Sequence, residues 1–147
     1  MKRVNQQWLQ DVWKSLLCVG LLATQGCIFD ANVCENEILS SHPSPTGQHK
    51  ALIFQRNCGA TTPFSTQISI LAVDEELPNQ SGNAFSADTD GGAAPSGPGG
   101  GPEVKVQWSS ATKLLIQHHP AARVFHAPRT VKDIQLSIQP SKNSSGL

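Results

Sequence analysis

Two adjoining stretches, residues 103–108 (EVKVQW) and 113–118 (KLLIQH), decide the fold of this chain. In the first stretch apolar and polar residues alternate, which is the two-residue period of a half-buried strand. The second stretch is short and apolar, and residues 109–112 (SSAT) between them have a length typical of a hairpin loop. The sequence therefore predicts an antiparallel β-hairpin here.

Further strands are predicted on both sides of this hairpin. Residues 66–73 (TQISILAV) carry apolar side chains on both faces, which is typical of a central strand. The other candidate segments are residues 50–56, 122–126 and 131–138. Helical periodicity is hard to find after residue 34, so we expect an all-β fold. Five or six antiparallel strands in chain order would form a small meander, either a sandwich or a curled sheet.

A turn is predicted before the first of these strands. Residues 44–51 (SPTGQHKA) resemble the SPDG turn that opens a strand in many β-propeller blades, with Thr46 in place of the aspartate. A propeller needs four or more blades, and this chain has room for one. The resemblance therefore implies a blade-like meander and nothing larger.

The first 26 residues read as a signal peptide. Lys2 and Arg3 precede residues 16–24 (LLCVGLLAT), an uncharged apolar run too short to span a bilayer. Residues 23–27 (ATQGC) resemble a lipobox, the bacterial lipoprotein signal. The resemblance implies cleavage before Cys27 and a lipid on its thiol. An ordinary cleaved signal and an uncleaved anchor remain the alternatives.

The location follows from the same resemblance. A lipid on Cys27 would tether the chain to a membrane of the cell envelope, facing the periplasm. In lipoproteins an aspartate after the lipidated cysteine favours retention in the inner membrane. Here Ile28 holds that position, so we expect sorting to the outer membrane.

The cysteine count agrees with export. Cys18 would leave with the signal peptide and Cys27 would carry lipid, which leaves Cys34 and Cys58 to form one disulfide. That bridge closes a loop of roughly 25 residues and is worth about 3.5 kcal/mol in the chain-entropy model. A metal site is the competing use of two cysteines, but their wide spacing lacks the usual ligand pattern.

A glycine- and proline-rich stretch divides the remaining chain. Residues 27–147 are predicted to form one small β domain, with a flexible loop over residues 78–102. Within it, residues 88–102 (DTDGGAAPSGPGGGP) offer little apolar surface to offset the entropy of ordering. A surface loop is the plain interpretation, and a ligand- or partner-binding loop is the functional one.

One longer resemblance covers residues 34–138. Residues 58–66 (CGATTPFST), the turn at Ser44 and residues 103–108 are similar to a group of uncharacterised small proteobacterial proteins. Pro63 departs from that pattern. The resemblance implies a bacterial source and no particular activity.

Charge and motifs narrow the possible functions. The whole chain has a formal net charge of zero, and residues 27–147 are slightly acidic, which argues against nucleic-acid binding. The sequence has no nucleophile elbow or phosphate-binding glycine loop, so we predict no catalytic residues, metal or cofactor. We expect a tethered binding or interaction module, whose candidate partner is an envelope protein. The alternatives are a small exported enzyme such as a hydrolase and a purely structural envelope protein.

Overall fold

The computed structural model describes residues 34–142, which form nine β-strands and no helix. Five strands make the first sheet, in the order β1-β2-β3-β4-β7. Their bounds are Glu35–Pro43, His49–Asn57, Ser65–Ala72, Phe85–Asp88 and Arg123–His126. The second sheet has the order β5-β6-β9-β8. Its strands, in chain order from β5, are Val104–Ser110, Lys113–His118, Thr130–Val131 (β8) and Ile134–Pro140 (β9).

The two sheets form a sandwich around one apolar core. Ile68 and Phe85 of the first sheet and Leu114, Ile116 and Ile134 of the second are all fully buried in the same cluster. Burial of this kind is the main favourable contribution to folding. The all-β class is therefore confirmed, and the sandwich is the alternative that holds.

The strand count and one pairing differ from expectation. Nine strands replace the five or six predicted, because β1, β4 and β8 were not foreseen. All but one of the strand pairs are antiparallel, whereas β6 and β9 run parallel, with Lys113 opposite Gln135. A strict meander in chain order is therefore wrong, since residues 119–133 leave the second sheet, contribute β7 to the first, and return.

The first hairpin, β1–β2, is closed at both ends. The amide of Gly47 donates to the carbonyl of Ser44 at 2.9 Å, and Gly47 has a φ of 69°, which glycine adopts without strain. At the end opposite the turn, Cys34 and Cys58 lie one position beyond the Glu35–Asn57 pair, and their sulfur atoms are 2.09 Å apart. The predicted turn and the predicted Cys34–Cys58 disulfide are both present.

The glycine- and proline-rich segment contributes to the fold. The expectation of a loop over residues 78–102 is wrong for residues 85–88, which form the buried strand β4. Beyond β4, Ala94 and Pro102 are buried, and the Thr66 hydroxyl donates to the carbonyl of Pro102 at 2.7 Å. The backbone of this segment is therefore anchored on the central strand β3.

Asn83 extends the same central strand by side-chain pairing. Its Oδ1 accepts a hydrogen bond from the Ile70 amide at 2.8 Å, and its Nδ2 donates to the Ile70 carbonyl at 3.0 Å. The amide side chain thus satisfies both backbone groups of a residue that β4 is too short to reach.

Candidate functional site

A cavity of about 540 Å³ opens between β7 of the first sheet and β9 of the second. The apolar part of its lining includes Val124 of β7, Pro128 of the β7–β8 connection and Ile138 of β9. Its polar lining residues are His118, Arg129, Gln135 and Ser137, and the remaining lining residues are Ala127 and Leu136. The volume lies in the range of sites that bind small molecules or short peptides.

The floor of the cavity is an open sheet edge. The amide of Gln135 donates to Thr112 on the β6 side, whereas the amide of Leu136 donates to the Arg129 carbonyl on the opposite side. Backbone groups alternate along a strand, so the amide and carbonyl of Ile138 point to the same side as the Leu136 amide. Strand β8 pairs only with Ile134 and Gln135, and within residues 34–142 no strand pairs with Ile138 on this side.

The wall of the cavity is fixed by an ion pair. Strand β7 is exposed along its length, yet Arg123 holds it to β4 through a bidentate ion pair with Asp88. In that contact Arg123 Nε donates to Asp88 Oδ1 at 3.1 Å, and Nη2 donates to Oδ2. A paired guanidinium and carboxylate of this geometry orient each other firmly. The pair therefore positions Val124, the next residue along β7, at the cavity.

The surroundings of Asp88 keep it ionised. Asp88 is 3% exposed, and burial acts to raise the pKa of its carboxyl group. Hydrogen bonds from Arg123 and from the amide of Asp90, together with the charge of Arg123, outweigh that effect and hold the pKa of Asp88 below its ordinary value. The guanidinium also lies 5.2 Å from the ring centre of Phe125, a side chain that is 59% exposed.

The charge of the cavity lining is positive. Arg129 supplies a guanidinium, and among residues 34–142 the lining includes no aspartate or glutamate. The donor groups of the lining residues include the Arg129 guanidinium, the Ser137 hydroxyl, the side-chain amide of Gln135 and the backbone amide of Ile138. The arrangement suits a ligand that accepts hydrogen bonds and carries negative charge.

A second cavity, of about 460 Å³, lies under the glycine- and proline-rich segment. Residues 95–98 form one side, and His118 and His119 are among the residues opposite. Its acidic residue Glu103 lies 3.5 Å from Lys105, so these two charges compensate each other. Lys142 also lines this cavity, so beyond that pair it carries one positive side chain, as the first cavity does, and the feature that distinguishes the first is the open edge of β9.

The histidines do not converge on a catalytic arrangement in the part of the chain that the structure describes. His42 Nε2 lies 3.0 Å from the Ser40 hydroxyl, but no hydrogen bond or ion pair joins His42 to a carboxylate there. His49 is 3.9 Å from Asp133, at a different place. A hydrolytic triad needs a serine, a histidine and a carboxylate together. Over residues 34–142, no group of three or more potential ligands is placed to hold a metal ion.

The sequence also predicted a lipidation site and a disulfide. Cys27, the predicted lipidation site, lies outside the described residues, as does the predicted signal peptide. Arg56, beside the disulfide, donates to the side chains of Asn36 at 2.7 Å and Asn79 at 3.2 Å, so it ties the hairpin to the β3–β4 connection. Cys34 and Cys58 lie at the start of β1 and the end of β2.

Sequence reasoning missed the residues that build the cavity. Arg129 and Val124 lie in segments without a motif, and the edge at Ile138 depends on which strands pair with β9. His118 lines both cavities, but no motif around it marks either of them.

No family model matches the chain, and no curated protein or solved structure matches it at a significant level. The resemblance to small proteobacterial proteins therefore stays a prediction. Residues 34–142 contain no helix with the length and apolar character of a membrane span.

Proposed function

We propose that this protein is an exported lipoprotein, tethered to the cell envelope through Cys27, whose β-sandwich acts as a binding module. The sequence of residues 23–27 is the basis for the tether. The Cys34–Cys58 disulfide supports export, because such bonds persist in oxidising compartments and are rare in the cytosol.

The cavity beside β9 is the observation that carries the binding role. It combines an apolar wall, a positively charged rim at Arg129 and an open backbone edge. These features recognise a ligand, whereas bond cleavage needs a nucleophile with an activating base. The cavity lining contains Ser137 and His118, but over residues 34–142 no hydrogen bond joins their side chains, and His118 Nδ1 lies 2.9 Å from the His119 carbonyl.

The tether would hold the sandwich near the membrane. Only residues 28–33 separate Cys27 from Cys34, and a chain of that length spans at most about 25 Å. The disulfide end of the β1–β2 hairpin would therefore be the end attached to the bilayer. The sandwich would act close to the envelope surface rather than diffuse through the periplasm.

Intact mass spectrometry of the protein, expressed in a bacterium and purified from its membranes, tests the proposal. We expect a mass for residues 27–147 plus an acylated glyceryl group, reduced by two hydrogens for one disulfide. Cys27→Ser should abolish the lipid and the cleavage that depends on it. Cys18→Ser is the matched control and should leave the processed mass unchanged. An unmodified wild-type chain would refute the tether.

An exported hydrolase is the second candidate, because Ser40 and His42 form a close pair. A fluorophosphonate probe, which labels activated serines, distinguishes the two functions. A binding module should show no labelling above that of Ser40→Ala. Labelling of Ser40 that this substitution removes would favour the hydrolase.

A further inference from the structure

We infer that the cavity binds an extended peptide segment as an added strand on the open edge of β9, with an acidic side chain of the peptide beside Arg129. The inference rests on the proposed binding role and specifies its partner. The observations that carry it are the backbone direction at Ile138, the shape of the gap, and the charge of the lining.

The backbone of β9 offers hydrogen-bonding groups beyond the end of β8. The ladder between β8 and β9 ends with the bond from the Leu136 amide to the Arg129 carbonyl. The next outward-facing groups are the amide and carbonyl of Ile138, which border the cavity. Strand addition satisfies such groups with the main chain of a peptide, whatever its sequence.

The gap has the dimensions of a short strand. The edge from Ser137 to Pro140 spans roughly 10 Å at the rise of a β-strand. Pro140 has no amide hydrogen, so it ends the row of donors. Val124 and Pro128 also line the cavity, and the length of the edge matches about three or four extended residues.

The lining residues indicate which side chains the peptide should carry. Side chains of an added strand alternate between the two faces of the sheet, so every second residue meets the apolar surface of Val124 and Ile138. Arg129 lies where the edge begins, and within the described part of the chain the lining holds no acidic side chain that could compete for it. An acidic residue in the peptide therefore gains a charge-assisted hydrogen bond that a basic residue cannot form.

The test uses methyl NMR of the full chain in detergent micelles, with isoleucine δ1-methyl groups labelled. The probe is the peptide acetyl-TVEVT-amide, titrated to millimolar concentration. We expect a saturable shift of the Ile138 methyl signal and none of Ile38, which lies on the far edge of the other sheet. The counterpart acetyl-TVKVT-amide should bind roughly two- to fivefold more weakly. A fully N-methylated form of the acidic peptide should not bind.

Paired variants separate the site from general effects of charge. Arg129→Gln should weaken the acidic peptide to the level of the basic one. Lys113→Gln, an exposed position on β6 outside the cavity, removes the same charge and should leave affinity unchanged. Val124→Glu places a negative charge in the cavity wall at a position that is 37% exposed, so it should block the acidic peptide without unfolding the chain.

Three outcomes would overturn the inference: no shift of Ile138, equal affinity for the acidic and basic peptides, or a shift that depends on protein concentration alone. The last would mean that a second copy of the chain occupies the edge. The intact mass of the same sample reports the lipid independently. A peptide-binding chain without lipid would refute the tether alone, and a lipidated chain that binds no peptide would refute the inference alone.

Discussion

Gly101→Ala tests whether the glycine- and proline-rich segment is part of the folded structure. Gly101 is buried against β3, and a Cβ added there would lie 2.6 Å from the Thr66 amide nitrogen and 2.5 Å from its hydroxyl oxygen. Contacts this short require one of the neighbours to move. The amide belongs to the central strand β3, so it cannot move without disturbing the ladders to β2 and β4.

The cost of this substitution follows from the two contacts. Rotation of the Thr66 hydroxyl away from the new methyl group would break its buried hydrogen bond to Pro102, which costs about 1–3 kcal/mol. The overlap with the β3 backbone adds the cost of overpacking, about 1–3 kcal/mol. We therefore expect Gly101→Ala to lower the free energy of unfolding by about 2–6 kcal/mol, a large part of the total for a small domain.

Urea denaturation followed by circular dichroism measures this loss. Gly91→Ala in the same segment is the control, because its added Cβ meets no atom within 4 Å and only the φ of 69° opposes it. That conformation should cost about 1–2 kcal/mol. If Gly101→Ala is no more destabilising than Gly91→Ala, then residues 97–102 do not pack on β3 and the reasoning is wrong.

Three further outcomes are expected. Cys34→Ser and Cys58→Ser should each lower stability by about 3.5 kcal/mol in urea titrations, and the double variant should lose no more than either one; unequal losses would argue against a shared bridge. Asn83→Ala should cost about 1–3 kcal/mol and speed amide exchange at Ile70, since both backbone groups of Ile70 lose their partner; unchanged exchange would contradict this. Asp88 has a lowered folded pKa, so its stabilisation is present above the unfolded pKa of about 3.9 and is lost as pH falls through the folded value; acid titrations should show a shallower loss for Asp88→Asn than for the wild type.

The strands with strong local patterns were predictable from sequence. The prediction of residues 113–118 coincides with β6, and the prediction of residues 66–73 differs from β3 by one residue at each end. Strand β3 is buried over six of its eight residues and lies in the middle of its sheet, as its apolar side chains on both faces indicated. A segment whose own residues supply the apolar surface carries its signal locally.

The strands that were missed depend on distant residues. Strand β4 (FSAD) is only four residues long and buries Ser86 and Asp88, two residue types that favour loops. Asp88 is tolerated there because Arg123, 35 positions later, neutralises it. Strand β1 is mostly exposed at the edge of its sheet, so its sequence lacks a buried face. No local pattern reveals such pairings.

The candidate site depends on one topological choice. Parallel strands need a crossover of about a dozen residues or more, and residues 119–133 supply it between β6 and β9. This crossover contributes β7 to the first sheet. Within residues 34–142, the two-residue strand β8 is therefore the only strand that pairs with the outer edge of β9. The open edge at Ile138 and the cavity beside it are therefore consequences of the same connection. Extending β8 across Ile138 would close the edge, so the proposed strand-binding role predicts that such an extension would abolish peptide binding while preserving the sandwich.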